Sequence, residues 1–327
     1  MKEGTGQCVF CANNRYSIAF PVTDIFGVTR NLCVCNDCKT WFYDPQPTRE
    51  ELITAYSEDY YGSSDTKFRW GMVEKAVEIY RKQRARKIRK LIGEKGSVLD
   101  IGCGNGRFLH FLSESGTYQV YGTELPGNSA ERAKQFAEIN LFVGPFEKAE
   151  YPDASFDAIT LFHVFEHLPD PDSALTKVEK LLKPGGILVM SFPNIRSIQA
   201  RWLKAHWLHL DPPRHLFFPD HKALSAYLGN KGLLIEGKSF FSPEQNPVGA
   251  VQGLLNLLSG KRDLLFERLK GNNTYLPEAG KMQVSLHKIF FIVSMPVFMI
   301  GDVFESLAGR GATVQLIFRK QKNNDIH

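Results

Sequence analysis

The stretch that decides the fold reads Ser-Val-Leu-Asp-Ile-Gly-Cys-Gly-Asn-Gly-Arg-Phe and covers residues 97–108. Two apolar residues precede Asp100, and the turn after it contains Gly102, Gly104 and Gly106. Apolar residues then recur at helical spacing. This pattern predicts a strand, a glycine turn and a helix, which is the geometry that brings the backbone close to a nucleotide-like ligand.

The glycine spacing distinguishes two kinds of nucleotide site. A dinucleotide fingerprint would have its third glycine at position 107, where this chain has Arg107. The spacing D-x-G-x-G-x-G resembles instead motif I of the class I S-adenosylmethionine (SAM) methyltransferases. In that family the acid at the strand end faces the ammonium group of the ligand. The resemblance therefore implies that Asp100 and the glycines hold the methionine part of SAM.

Four motifs downstream follow in the order of the same family. They are a strand at 120–124 that ends in Glu124, a strand at 156–161, the triplet Glu166-His167-Leu168, and a helix that ends at Pro184-Gly185-Gly186 before a strand at 187–190. The series resembles the ubiquinone-biosynthesis-like group of methyltransferases over residues 98–194. It extends the expected fold to an α/β, Rossmann-like, seven-stranded doubly wound sheet.

The resemblance also implies which residues contact the rest of the cofactor. An acid at the end of the second strand, Glu124, accepts hydrogen bonds from the ribose hydroxyls. The expected neighbours of the adenine are Leu125, Phe146 and Phe162. Where the family often has an acid near the adenine amino group, residues 144–147 read Gly-Pro-Phe-Glu.

Histidines supply the candidate general bases. His163 and His167 are four residues apart after a strand, so they share one face if a helix begins there. His215 lies in a proline-rich loop that we expect over the cofactor mouth. We predict His163, His215 and His167, in that order, as the catalytic base. Relatives often have a glutamate that can join a metal site in place of His163, so no catalytic metal is carried over.

Five of the six cysteines lie within the first 38 residues. Two Cys-x-x-Cys pairs, Cys8 with Cys11 and Cys35 with Cys38, match the ligand spacing of a structural zinc site. A hairpin between the pairs would bring them together, with Phe20-Pro21-Val22 and residues 25–28 as its strands. Cys33 is a spare thiol that could compete with Cys35, and Cys103 is expected to fill space in the glycine turn. Disulfides are the alternative that an exported protein would favour.

We expect the following organisation along the chain. Residues 1–45 form a zinc ribbon, 46–87 a helical linker with Thr48 as an N-cap, 88–320 the SAM methyltransferase domain with a helical insertion at 241–311, and 321–327 a disordered tail. The segments 8–62 also resemble the leader of zinc-ribbon methyltransferases, through motifs that include Tyr60-Tyr61.

Charge and hydropathy suggest the partners. Seven of the ten residues at 81–90 are basic, although the whole chain has a net charge of only +5. We interpret this run as a solvated helix face, with a nucleic-acid or anionic-membrane contact as the alternative. No stretch is expected to span a bilayer, since the most apolar run, 289–300, contains Pro296. Core packing is the expected role of 286–307, and contact with a membrane or a lipid-like substrate is the alternative.

The leading hypothesis is a cytoplasmic SAM-dependent methyltransferase with a structural zinc. We expect it to methylate an oxygen of a small molecule, such as a nucleotide-sugar, a quinone or an envelope precursor. A zinc-ribbon RNA methyltransferase is the first alternative, although nucleic acid is not expected because Phe192-Pro193-Asn194 lacks the motif typical of base methylation. A non-catalytic SAM-binding adaptor is the second. The oligomeric state stays open.

Overall fold

The computed structural model describes residues 6–56, 71–260, 262–270 and 280–322. The chain divides into two compact units, each built from several segments. Unit 1 contains the described residues of Met1–Trp70 together with Pro193–Ala223 and Ser239–Val314. Unit 2 contains Gly71–Phe192, Leu224–Lys238 and the described residues of Gln315–His327. The predicted tail beyond 322 and the Tyr60-Tyr61 motif lie outside the described residues.

Unit 2 is built on the predicted seven-stranded sheet. Its strands, in chain order, are β4 (Lys95–Ile101), β5 (Thr117–Glu124), β6 (Ile139–Val143), β7 (Phe156–Phe162), β8 (Leu182–Pro193), β10 (Leu233–Ser239) and β11 (Thr313–Lys320). Their order across the sheet is β10-β11-β8-β7-β4-β5-β6. Strand β4 pairs in parallel with β5 on one side and with β7 on the other. The strand order therefore reverses at β4, and ligands of such sheets bind where it reverses.

The helices of unit 2 follow mainly from apolar spacing, and at least one of them also has a side-chain N-cap. They are α2 (Gly71–Ile92), α3 (Arg107–Ser113), α4 (Asn128–Ala133), α5 (Pro171–Leu181) and α7 (His221–Asn230). Helix α5 begins after Asp170, whose side chain accepts a hydrogen bond from the Ser173 amide, and Pro171 occupies its first turn. The core combines strand residues such as Val98 and Val120 with helix residues such as Ile88 and Leu109.

The Pro-Gly-Gly segment lies within a strand, which corrects the prediction that it forms a turn before one. Helix α5 ends at Leu181, and β8 begins at once with Leu182. Between the pairs Phe156 with Leu182 and Ala158 with Ile187, strand β8 contains extra residues, so it bulges there. Gly185 has φ +81°, and a Cβ on Gly186 would meet the Lys183 carbonyl oxygen at 2.9 Å. The glycines are thus required by a bulge.

The amino-terminal part of unit 1 is a small sheet. Strands β1 (Tyr16–Thr23), β2 (Thr29–Cys35), β3 (Trp41–Asp44) and β9 (Phe217–Phe218) pair in that order. The predicted hairpin is present, but residues 25–28 form its turn and not its second strand. Asp24 explains this, because its carboxylate accepts hydrogen bonds from the Phe26 and Val28 amides.

Helix α1 (Arg49–Ala55) begins at the predicted N-cap. The Thr48 hydroxyl accepts from the Glu51 amide, and the Glu51 carboxylate accepts from the Thr48 amide, which completes a capping box. Glu51 also pairs with the buried Arg30, which in turn binds Asp24 at 3.0 Å. This ion-pair chain attaches the helix to the hairpin.

Four helices complete unit 1. They are α6 (Ile198–Leu203), α8 (Asn246–Ser259), α9 (Leu264–Lys270) and α10 (Lys281–Leu307). The last three lie in the region where a helical insertion is predicted. Val251, Leu255 and Leu265 form a core cluster with phenylalanines of α10.

Helix α10 corrects two predictions about membranes and packing. The stretch Met282–Leu307 is long and apolar enough to cross a bilayer by length and composition, with a mean hydropathy of 1.7. Pro296 does not end the helix, so the apolar run is longer than the sequence indicated. In the most apolar 18-residue window of this stretch, to which the hydropathy value applies, only 6% of the residues are buried, so core packing is not the role of most of its side chains.

Candidate functional site

The glycine turn follows the carboxyl end of β4 at the point where the strand order reverses. Gly102, Gly104 and Gly106 have φ values of +69°, +59° and +74°, which non-glycine residues rarely adopt. A Cβ on Gly102 would meet Val164 at 2.5 Å, whereas a Cβ on Gly104 would meet no atom of the described residues within 4 Å. The turn is therefore packed on one side at Gly102 and open at Gly104, which suits a ligand that lies against the backbone.

Asp100 is a buried acid beside this turn. It is 4% exposed, and the Thr160 hydroxyl donates a hydrogen bond of 2.6 Å to its Oδ1. Burial raises the pKa of Asp100 to about 7, against the opposing effects of the Thr160 hydrogen bond and the Arg84 charge. A cationic group brought by a ligand would stabilise the ionised form.

Glu124 ends β5 next to the glycine turn. The Gly104 amide donates to its Oε2 at 2.6 Å, and the Leu125 amide donates to its Oε1 at 3.1 Å. Each carboxylate oxygen retains further acceptor capacity for a ligand hydroxyl. Glu124 is thus held next to the same glycine turn as Asp100. Two acids beside one turn suit a ligand that joins a nucleoside to a cationic group.

The three predicted adenine neighbours differ in accessibility. Leu125 is exposed, and Phe162 is half-buried with its ring edge against Phe108. Phe146 is buried, and the Lys177 ammonium lies 4.7 Å from its ring centroid. Cys103 is buried in the core, where burial raises the pKa of its thiol, as expected of a space-filling residue.

Arg84 is a candidate site residue that sequence reasoning missed. Its guanidinium carbon lies 4.5 Å from the centroid of the Phe162 ring, and its charge acts on Asp100. In the sequence it is one of seven basic residues in a run. The signal that could have found it is its place four residues before the buried Ile88, which puts it on the inward face of α2.

Other cations of the same run have partners within unit 2. Lys82 lies 4.8 Å from the Phe111 ring centroid, Lys87 binds Gln315, and Arg89 pairs with Glu94. The run is thus not a uniform solvated face.

His163 directly follows β7, with Glu166 beside it. It has φ +57°, and its amide donates to the Ser191 carbonyl at 2.8 Å. His167 belongs to the short 3-10 helix Phe165–His167, so the two histidines do not share one face of an α-helix. The His163 Nδ1 lies 3.4 Å from Oε1 of the fully buried Glu166, and its Nε2 has no hydrogen-bond partner among the described residues.

His215 belongs to unit 1, where it is buried. Its Nδ1 is 2.8 Å from the His209 carbonyl oxygen, and its Nε2 is 4.0 Å from Asp211. Asp211 also binds the buried Arg214. The histidine is therefore held by a polar cluster within its own unit.

The four cysteines of the two predicted pairs converge. Their sulfurs all lie within 4.8 Å of one another, with Cys8 to Cys38 at 3.5 Å and Cys11 to Cys35 at 3.6 Å. A tetrahedral thiolate site with zinc–sulfur bonds of about 2.3 Å has sulfur–sulfur edges of about 3.8 Å. The hydrogen bond between Cys8 and Cys38 lowers the pKa of Cys38 and raises that of Cys8. The donor set therefore fits zinc.

Cys33 lies outside this cluster. Its side chain is fully buried, and its sulfur donates to the Asn31 carbonyl at 3.9 Å. Alternation along β2 puts Cys33 and Cys35 on the same face of the sheet, because they are two residues apart, so Cys33 is separated from the cluster by its position along the strand. All six cysteines are reduced thiols.

Comparison with known proteins assigns part of the chain to a family. Residues 76–236, just under half of the chain, match the family model described as Methyltransferase domain. The chain carries a class I SAM-dependent methyltransferase domain. This domain is 36% identical over 119 residues to a ubiquinone biosynthesis O-methyltransferase of Idiomarina loihiensis, a match that covers 35% of this chain and 47% of the relative. The chain thus spans about half the length of the curated relatives it matches.

Solved structures support the fold of the methyltransferase domain. A putative sarcosine dimethylglycine methyltransferase from Galdieria sulphuraria has a TM-score of 0.50 and 16% identity, with 83% of this chain and 98% of that chain covered. The [4+2]-cyclase SpnF has the same TM-score and identity, with 85% and 98% covered. Because the second of these proteins is a cyclase, the fold by itself does not define the reaction.

Proposed function

We propose that the protein transfers a methyl group from SAM to an oxygen of a small-molecule acceptor. The observation that carries the proposal is the glycine turn with an acid at the end of each of two neighbouring parallel strands, Asp100 on β4 and Glu124 on β5. Bound SAM would supply an electrophilic methyl group. The family match at 76–236 supports this choice of cofactor.

Each polar group of the turn has a complementary part of SAM. Asp100 would bind the ammonium group, and Glu124 the ribose hydroxyls. Arg84, beside Phe162 and close enough to act on Asp100, would bind the carboxylate. Gly104 leaves the backbone open to the cofactor. Leu125 would lie beside the adenine, whereas Phe146 and Phe162 each have a cation against the ring, Lys177 and Arg84 respectively.

His163 is the residue best placed within unit 2 to take the proton of a hydroxyl acceptor. Glu166 would accept a hydrogen bond from the Nδ1–H group of His163. The Nε2 lone pair would then be available to take the hydroxyl proton of the acceptor. The present separation of 3.4 Å is longer than a strong hydrogen bond, and such contacts commonly shorten when substrate binds. Alignment of acceptor and methyl group would supply the rest of the rate. His215 and His167 stay second and third choices for the base.

A phenolic quinone precursor is the acceptor class that we favour. The curated relatives, named ubiquinone biosynthesis O-methyltransferases, support it at 31–36% identity. Methylation of a nucleotide-sugar or an envelope precursor would use the same chemistry. An RNA acceptor has less support, because several cations of the 81–90 run are engaged within unit 2. A non-catalytic adaptor would bind SAM without turnover.

A structural zinc ion would be bound by Cys8, Cys11, Cys35 and Cys38. Four thiolates leave no open coordination position, so the ion would stabilise the small sheet of unit 1 without taking part in catalysis. Reduced thiols suit the cytoplasm, which we propose as the compartment.

Calorimetry and a labelled-SAM screen test the proposal together. Wild-type protein should bind one S-adenosylhomocysteine per chain, and Glu124→Ala should lose about 1.5–3 kcal/mol of binding free energy. The exposed Glu150→Gln is the matched control and should bind as wild type does. Label from SAM should then enter a catechol or quinol, and not a nucleotide-sugar or RNA.

The outcomes separate the alternatives. Tight binding with no label transfer to any acceptor would support the adaptor. Transfer confined to RNA would support the RNA methyltransferase. Wild-type affinity in Glu124→Ala would contradict the ribose assignment.

A further inference from the structure

The exposed face of α10 is unusually apolar. Nine of its apolar side chains are 59–82% exposed, among them Ile289, Val293, Val297, Ile300, Phe304 and Leu307. Exposed Met299 and Val303 widen this face to about 160° of the helix circumference at 100° per residue. That width exceeds the narrow seam of a two-stranded coiled coil. We call the eight residues named here the α10 face.

The opposite side of the same helix packs within unit 1. Phe290, Phe291 and Phe298 join the cluster around Val251 and Leu255 of α8. The helix thus has two apolar sides, of which only one is covered.

The acidic residues of α10 all lie on the packed side. Asp302 is 2% exposed and accepts a hydrogen bond of 2.6 Å from Asn246, and Glu305 accepts one of 3.2 Å from Gln199. In the fully described stretch 289–307 these are the only charged residues. Burial raises the pKa of both acids. The α10 face therefore presents no negative charge.

The positive charges lie towards the ends of this face. Lys288 precedes it, and the exposed Arg310 follows the helix. Such an arrangement complements a surface that is apolar inside and anionic at its boundary, as the headgroup region of a bilayer is.

Composition favours lipid over a protein partner. Protein interfaces are enriched in aromatic residues, methionine and arginine, and of these the α10 face contains only Met299 and Phe304 among its eight residues. Its exposed residues are mainly leucine, isoleucine, valine and methionine. We propose that the α10 face docks the protein on an anionic phospholipid bilayer, with the helix lying along the interface.

A spanning arrangement is incompatible with the packed side. Lipid around the whole helix would require Asp302 and Asn246 to give up their hydrogen bond, and the phenylalanine cluster with α8 to separate. A helix that inserts one face keeps both. The inference goes beyond the proposed methyl transfer and does not depend on it.

Vesicle flotation tests the inference. The full-length protein is mixed with vesicles of phosphatidylcholine containing phosphatidylglycerol, and separately with phosphatidylcholine alone. The test variant is Val293→Glu/Val297→Glu/Ile300→Glu, whose changed side chains are already in solvent. The matched control is Ile53→Glu/Leu234→Glu/Ile235→Glu, which places three charges at exposed apolar positions elsewhere.

Wild type and control should float with the anionic vesicles, and the test variant should bind them about a hundredfold more weakly. Circular dichroism and calorimetry with S-adenosylhomocysteine should show that all three proteins are folded and equally competent for the cofactor. Wild type that stays unbound with both vesicles would overturn the inference. Light scattering that shows a dimer dissociated by the test variant, without vesicle binding, would assign the α10 face to a second copy instead.

Discussion

At the scale of single residues, Asp100 is a buried acid whose charge the fold itself disfavours. Its pKa is raised to about 7 in the folded state, above the value near 4 expected of an unfolded chain. The folded protein therefore holds a proton that the unfolded chain releases between these values. Its stability falls as the pH rises through that window and is level above it.

Asp100→Asn should remove this dependence. At pH 8 the variant should melt at least about 3 °C above wild type, and the difference should shrink as the pH falls towards 4. Its affinity for S-adenosylhomocysteine should fall, since the amide cannot pair with the ammonium group. Scanning calorimetry without ligand measures the first effect. A gain in melting temperature that is the same at pH 5 and pH 8 would contradict the assignment.

Glu166 is positioned to determine which ring nitrogen of His163, the proposed base, bears the proton. If it accepts the Nδ1 proton of His163, then Glu166→Gln should place the proton on Nε2 and lower the maximal rate by about a hundredfold. Cofactor affinity should barely change. Nitrogen-15 NMR of labelled histidine would detect the change of tautomer directly.

Two controls separate this role from a structural one. Glu166→Asp should recover part of the rate, and Glu150→Gln should keep all of it. If the tautomer changes in Glu166→Gln while the rate does not, then His163 is not the base. If the tautomer of His163 is unchanged in Glu166→Gln, then Glu166 does not determine which nitrogen bears the proton.

At the scale of elements, helix α2 contains basic residues with different roles. Arg84→Gln should weaken S-adenosylhomocysteine binding by about tenfold or more, because it removes a cation from the site. Arg86→Gln, a change of an exposed neighbour, should have no effect. Isothermal calorimetry on both variants tests this, and equal losses would show that only the net charge of the helix matters.

The hairpin β1–β2 offers a second matched pair of variants, at Cys35 and Cys33. Cys35→Ser should lose zinc and lower the melting temperature, whereas Cys33→Ser should retain one equivalent of metal. Elemental analysis of protein purified without chelator measures both. Loss of zinc from Cys33→Ser alone would exchange the ligand assignment, and absence of metal from the wild type would exclude the zinc site.

Local patterns predicted most elements because their causes are local. The strand before Asp100, the N-cap at Thr48 and the Cys-x-x-Cys pairs depend on residues within a few positions of each other. The bulge at Gly185-Gly186 could not be read in this way, since a turn and a bulge use the same residues and only pairing with β7 distinguishes them. The exposure of α10 was missed because periodicity does not say which of two apolar sides is covered.

The site was predictable to the extent that it follows strand ends. Asp100, Glu124 and His163 could be predicted as candidate site residues because parallel strands bring their carboxyl ends to one edge. Arg84 comes from a helix that precedes the sheet, where its charge resembled that of its neighbours. The contact between His163 and Glu166 required the left-handed backbone at His163, which β7 and the following 3-10 helix impose.

At the scale of the whole molecule, both units are assembled from separated segments. Unit 1 draws on three segments, and its four-stranded sheet contains β3 from the beginning of the chain and β9 from far along it. A linear division at 45, 87 and 320 does not represent this interleaving, so those boundaries stay predictions. As a consequence, a fragment of residues 1–45 would lack β9, the strand that pairs with the edge of β3.

This interleaving has a consequence for synthesis on the ribosome. Strand β3 pairs Trp41 and Phe42 with Phe218 and Phe217, which are about 175 residues further along the chain. At roughly 5–20 residues per second, the edge of the early hairpin waits about 10–35 s for its partner strand. During that time a chaperone or the ion bound by its four thiols would be the available protection. Supply of zinc during translation, rather than after it, would then decide how much of the newly made protein escapes aggregation.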